Sequence, residues 1–95
     1  MRRAARVDDN QMEIVRAMRA VGATVRVITQ GDGLPDLLVG YNGHTILMEI
    51  KDGNKPPSAR KLTDNEQKFF DEWKGGPLYK VESVDQALDI LDGLG

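Results

Sequence analysis

The chain has 95 residues, of which 40% are hydrophobic and 29% charged, with a net charge of −2 and no cysteine. That length makes one domain, residues 1–95, with a modest and mostly aliphatic core, and the absence of cysteine excludes a disulfide framework or a thiolate metal site. The basic start MRRAAR runs into polar DDNQ where a signal peptide would turn apolar, and no long apolar run follows, so a cytoplasmic protein with no membrane partner is expected.

Charge is unevenly placed. Residues 1–30 hold six arginines against three acids, and residues 31–50 hold three acids with no lysine or arginine. Residues 51–61 hold four basic groups against one acid, and the acidic excess lies in residues 62–95. Two basic segments therefore flank an acidic one.

The segment DDNQMEIVRAMRAVG places Met12, Val15, Met18 and Ala20–Val21 near helical spacing, with Ile14 alongside. Asp8, Asp9 or Asn10 can cap this helix and Gly22 can end it. The β-branched TVRVIT, residues 24–29, predicts a strand, and QGDGLP predicts a loop in which Gly31 and Gly33 supply positive φ. Residues 36–41 and 44–51 form two strands joined by Asn42-Gly43, the type I′ hairpin signature. DGNKPPSARK is a basic loop. Thr63-x-x-Glu66 is a capping box opening a helix through Trp73, with Phe69, Phe70 and Trp73 toward its buried side. LYKV (78–81) predicts a short strand. Ser83-x-x-Gln86 opens a last helix with Val84, Ala87, Leu88 and Leu91 inward. His44, beside the turn, is expected to be exposed.

Chemistry gathers on the hairpin. Side chains two apart on a strand share a face, so Ile46, Met48 and Ile50 point one way while Leu47, Glu49 and Lys51 point the other. Counting back from the turn pairs Tyr41 with His44, Val39 with Ile46 and Leu37 with Met48, which sets Asp36 opposite Glu49. Cross-strand neighbours lie roughly 5 Å apart at Cβ, and like charges there repel. A divalent cation would relieve that repulsion, because Mg²⁺ and Mn²⁺ take oxygen ligands. Lys51 beside it could hold a nucleophile or a phosphate oxygen, which points to metal-assisted phosphodiester hydrolysis.

Pro35-Asp36, twelve intervening residues and Glu49-Ile50-Lys51 resemble the motif of the PD-(D/E)XK nuclease superfamily. More narrowly, GLPDLLVG, MEIK, GNKPPSARKLT and DNEQKFF, in that order, resemble the small stand-alone VRR-NUC proteins of phages. The resemblance implies an α/β fold, a restriction-endonuclease-like αβββαβα core with a mixed central sheet flanked by helices. It implies that Asp36 and Glu49 hold Mg²⁺ or Mn²⁺ with the Ile50 main-chain carbonyl, that Lys51 assists the attacking water, and that Gln67 lies near the site. Related nucleases often carry an acid on the first helix. Gln11 stands there in this chain, with Glu13 two residues on, and either is a candidate further ligand.

Arg2, Arg3, Arg6, Lys55, Arg60 and Lys61 are candidate phosphate contacts, which give affinity without reading sequence. By the same resemblance the partner is DNA, with branched or Holliday-junction DNA favoured, and the working form is a homodimer. The function expected is a structure-selective DNA endonuclease. The alternative is a DNA-binding accessory protein on a nuclease scaffold, weak or inactive because Gln11 stands in place of an acid.

Overall fold

In the computed structural model, residues 9–94 are described. Asn42 and Gly43 both take left-handed conformations, φ 49° and 82°, and close a two-residue hairpin whose twist suits the strands on either side. Those strands are β2 (Leu37–Tyr41) and β3 (His44–Ile50), and before them come α1 (Gln11–Ala20) and β1 (Thr24–Val27). After a loop with one 3-10 turn (Pro57–Ala59) follow α2 (Asp64–Glu72), β4 (Leu78–Val81) and α3 (Val84–Gly93). The sheet order is β1-β2-β3-β4, antiparallel at the first two junctions and parallel between β3 and β4, with α2 in the crossover. This is the expected α/β fold, a mixed four-stranded sheet flanked by helices. Among the described residues no helix is long and apolar enough to cross a membrane.

Leu37, Val39, Ile46, Met48 and Ile50 line one sheet face and are fully buried against Ile14, Val15 and Met18 of α1 and Ala87 and Leu91 of α3. The hairpin register matches the count from the turn as far as Leu37–Met48. β1 stops at Val27, two residues short of the predicted end. Ile28 N–H still donates to the Asp36 carbonyl at 2.7 Å, but the residue opposite Thr29 on this register is Pro35, which has no N–H to give.

α1 is rotated relative to the predicted stripe. Its buried residues are Gln11, Ile14, Val15 and Met18, while Met12 is exposed. A Schellman motif ends it: Ala23 N–H donates to Met18 and Gly22 N–H to Arg19, with Gly22 at φ 102°. Asn10 occupies the N-cap position but makes no cap bond; its side-chain N–H₂ donates to the Lys51 and Glu82 carbonyls, both at 3.1 Å. One asparagine thus ties the start of α1 to the ends of β3 and β4.

The opposite face of the sheet is only partly covered. α2 lies there with its capping box formed, yet none of its residues is buried. Phe69 and Phe70 are half-buried on the inward side of α2, as expected, whereas Trp73, stacked on Phe69 with ring centroids 5.3 Å apart, stays 40% exposed. The sheet positions on that face mix Arg26, Thr45, Glu49 and Lys80 with Leu38, Leu47 and Leu78, and Leu38 too stays 40% exposed.

Candidate active site

The sheet places Asp36 at the start of β2 and Glu49 near the end of β3, on the face under α2. Past Leu37–Met48 the Asp36 N–H still donates to the Met48 carbonyl at 3.0 Å, and a side chain then takes over from the ladder. The Ile50 N–H donates to Asp36 Oδ2 at 2.9 Å, and the Thr29 hydroxyl donates to Asp36 Oδ1 at 2.9 Å. The Asp36 carboxylate is thereby fixed in orientation by one main-chain and one side-chain donor, and it is buried. Behind it, the Gln11 amide donates to the Thr29 hydroxyl at 3.5 Å.

Glu49 is 3% exposed and its carboxyl contacts both Asp36 and Glu66. Burial, and then the Asp36 carboxylate beside it, push its pKa from 4.5 up to about 10, so Glu49 carries a proton at neutral pH. Its Oε1 is buried with no hydrogen-bond partner, and so is Gln11 Oε1. Unpaired buried acceptors are rare in folded proteins and mark places where a donor or an ion belongs.

Lys51 Nζ lies 4.0 Å from Glu49 Oε2 and 2.7 Å from Glu66 Oε1. Burial disfavours ionised Glu66, but the Lys51 ammonium and the Thr63 N–H outweigh it and hold that carboxyl below its usual range. Asp36, Glu49 and Lys51 are thus brought together, with the Ile50 main chain in contact through its N–H.

Two residues singled out from the sequence lie elsewhere. Gln67 is exposed and donates to Asp71 at 2.9 Å, pointing away from the cluster. The residue α2 contributes is Glu66, one position earlier. With Thr63 as N-cap, residue 66 is the one whose side chain bends back over the helix start, and the next residue sits about 100° further round. The capping box was readable, but its glutamate was assigned only to the cap. Glu13 is also exposed; it lines a separate cleft with Asn10, Asp52 and Glu82. Between the two candidates on α1, Gln11 is the one facing the cluster.

The basic residues divide. Arg2, Arg3 and Arg6 lie outside the described residues. Arg60 pairs with Glu82 at 3.2 Å and donates to the Lys55 carbonyl at 2.8 Å, so it fastens its own loop. Lys55 is half-buried and Lys61 exposed on the same loop, which leads from Lys51 to α2. Lys80, on β4, also reaches Glu82, at 3.3 Å.

Among the described residues no three histidine, cysteine, aspartate or glutamate side chains form a metal-holding group. The donors at hand are instead two carboxylates, a glutamine oxygen and main chain. That set resembles the sparse oxygen sites of Mg²⁺, which keep several waters, more than a full protein cage.

No family model matches the chain, and no curated protein matches it. A solved structure described as a VRR_NUC domain is similar, with a TM-score of 0.65 and 24% identity over 86% of this chain and 89% of the other. A likeness at that identity establishes the fold: the chain has the architecture of that domain.

Proposed function

We propose that the chain is a divalent-cation-dependent DNA endonuclease of the VRR-NUC kind, hydrolysing phosphodiester bonds in branched DNA, with Holliday junctions as the leading substrate and a homodimer as the working form. The reading is carried by the Asp36–Glu49 pair. Two carboxyls touch at the ends of neighbouring strands, one of them keeping a proton and an unpartnered buried oxygen, with a lysine alongside. The likeness to a VRR_NUC domain supports the nuclease class. Preference for junctions rests on family analogy.

Mg²⁺ or Mn²⁺ would be held by Asp36 and Glu49, with Gln11 Oε1 and the Ile50 carbonyl as further donors, and would supply Lewis-acid polarisation of the phosphate and a more acidic water. The chain's own residues do the rest. Thr29 and the Ile50 N–H keep Asp36 aimed. Glu49 would give its proton to solvent where a cation is held beside it. The water oxygen bonds to phosphorus as its proton passes to solvent, the P–O ester bond breaks, and the leaving oxygen takes a proton from solvent and ends as a hydroxyl. Lys51 places its ammonium where negative charge grows on the phosphate oxygens. The exposed Lys61 and half-buried Lys55 contact flanking phosphates.

A second reading is favoured by one observation. Gln11 is neutral, and its amide N–H₂ is engaged with Thr29. A cation held by only two charged groups binds weakly, and the protein then serves as a DNA-binding accessory. End-labelled four-way junction, flap and linear duplex DNA, each with Mg²⁺ or Mn²⁺, separate the two. Nicking concentrated on the junction supports the endonuclease, equal cleavage of linear duplex removes the structural preference, and salt-sensitive binding without cleavage supports the accessory.

A further inference from the structure

α2 owes its position to few contacts. None of its residues is buried, and its first turn is held at two points. On one side the Asn65 carbonyl backs onto Gly33 so closely that a Cβ on Gly33 would lie 2.3 Å from the Asn65 oxygen. On the other, Glu66 Oε1 accepts from Lys51 Nζ at 2.7 Å and from the Thr63 N–H at 2.8 Å. One carboxylate oxygen therefore closes the capping box and anchors the ammonium.

Lysine carries its charge on a flexible four-carbon stem, so an ammonium with a defined place needs an acceptor to hold it. Glu49 Oε2, at 4.0 Å, is beyond hydrogen-bond range, whereas Glu66 is within it. Glu66 Oε1 already takes two donors, one of them the Lys51 ammonium. Glu66 thus acts through the lysine. We propose that Glu66 is a positioning residue that sets the Lys51 ammonium beside the Asp36–Glu49 pair and makes that placement depend on the first turn of α2 being formed. Its catalytic meaning rests on the nuclease reading; the anchoring of Lys51 does not.

Glu66→Ala, Glu66→Gln and Thr63→Ala are compared with wild type in two readouts. One is steady-state DNA cleavage. The other is the rate at which an acetylating N-hydroxysuccinimide ester modifies Lys51 in cation-free protein, followed by peptide mass spectrometry, with circular dichroism to confirm folding. Glu66→Ala lowers kcat about tenfold or more while KM stays within about twofold, and Lys51 acetylation rises about threefold. Glu66→Gln retains an oxygen that accepts both bonds, so it recovers most of kcat. Thr63→Ala falls between, with Lys51 more reactive than in wild type.

Equal losses in Glu66→Ala and Glu66→Gln would make the carboxylate charge itself the requirement and overturn the positioning role. Unchanged kcat with unchanged acetylation in Glu66→Ala would overturn it too. A wild type that cleaves no DNA defeats the nuclease reading, and the acetylation series then decides the anchoring by itself. If Glu66→Ala does not fold, Thr63→Ala decides: Lys51 reactivity equal to wild type rejects the dependence on α2.

Discussion

Gly33→Ala is a small substitution with a large predicted effect. Gly33 has φ +83°, a region where an L side chain costs about 1–2 kcal/mol. The added Cβ would also sit 2.3 Å from the Asn65 oxygen and 2.6 Å from its carbon, both well inside the 3.4 Å at which ordinary contact begins. Overpacking against backbone costs about 1–3 kcal/mol, so the total is about 2–5 kcal/mol if the helix resists. Gly31→Ala is the internal control. Its φ is +84°, the same strained region, but nothing lies within 4 Å of its Cβ. It should lose only the backbone cost, about 1–2 kcal/mol. In urea titrations Gly33→Ala therefore unfolds earlier than Gly31→Ala, by about 1–3 kcal/mol. If α2 yields instead, the stability difference shrinks, but the helix start shifts by about 1 Å with Glu66 on it, and turnover falls by up to about 100-fold. Equal stability and equal turnover for the two variants would refute the close approach and the account of how α2 is held.

Three further outcomes follow from the cluster. Glu49 is ionised in the unfolded chain above its ordinary pKa of 4.5 but keeps its proton in the folded one up to about 10. Without divalent cation its contribution to stability is therefore full below about 4.5 and is lost as pH rises through that window, so the melting temperature of Glu49→Gln depends less on pH between 5 and 9 than that of wild type. Mn²⁺ at about 100 times its Kd raises wild-type stability by about 2.7 kcal/mol, read as a thermal upshift of about 10 °C or more that Asp36→Asn abolishes. Gln11→Glu lowers the Mn²⁺ concentration needed for half the thermal shift, and it destabilises the cation-free protein by adding a third carboxylate to a buried pair; isothermal titration and thermal melts read the two effects separately.

The hairpin was legible because two constraints agreed. Period-two alternation chose the buried face, and Asn42-Gly43 fixed the register, so Leu37 could be matched to Met48 by counting alone. The Schellman end at Gly22 and the N-caps Thr63 and Ser83 were equally local. What escaped the sequence depended on partners distant in the chain. Gln11 is buried because Thr29 and Asp36 give its amide a polar setting, whereas hydrophobicity alone favoured Met12 for the same stripe. Asn10 gives up its cap to bind the Lys51 and Glu82 carbonyls, 41 and 72 residues away. Glu66 was hidden by doing two jobs with one oxygen, so its capping role accounted for it completely. The helix pattern shows which side of α2 turns inward but not how far the sheet covers it, and Phe69 ends half-buried while Trp73 stays exposed.

On the proposed reading, Asp36, Glu49 and Lys51 cut the phosphodiester backbone of DNA. The most direct measurement is nicking of end-labelled junction DNA with Mn²⁺ by wild type and by Lys51→Ala, with chelator as the blank. Cation-dependent nicks from wild type, lowered about 100-fold or more in Lys51→Ala while DNA binding persists, are the predicted result. Lys51→Ala cutting as fast as wild type, or wild type cutting equally well in chelator, would contradict the account.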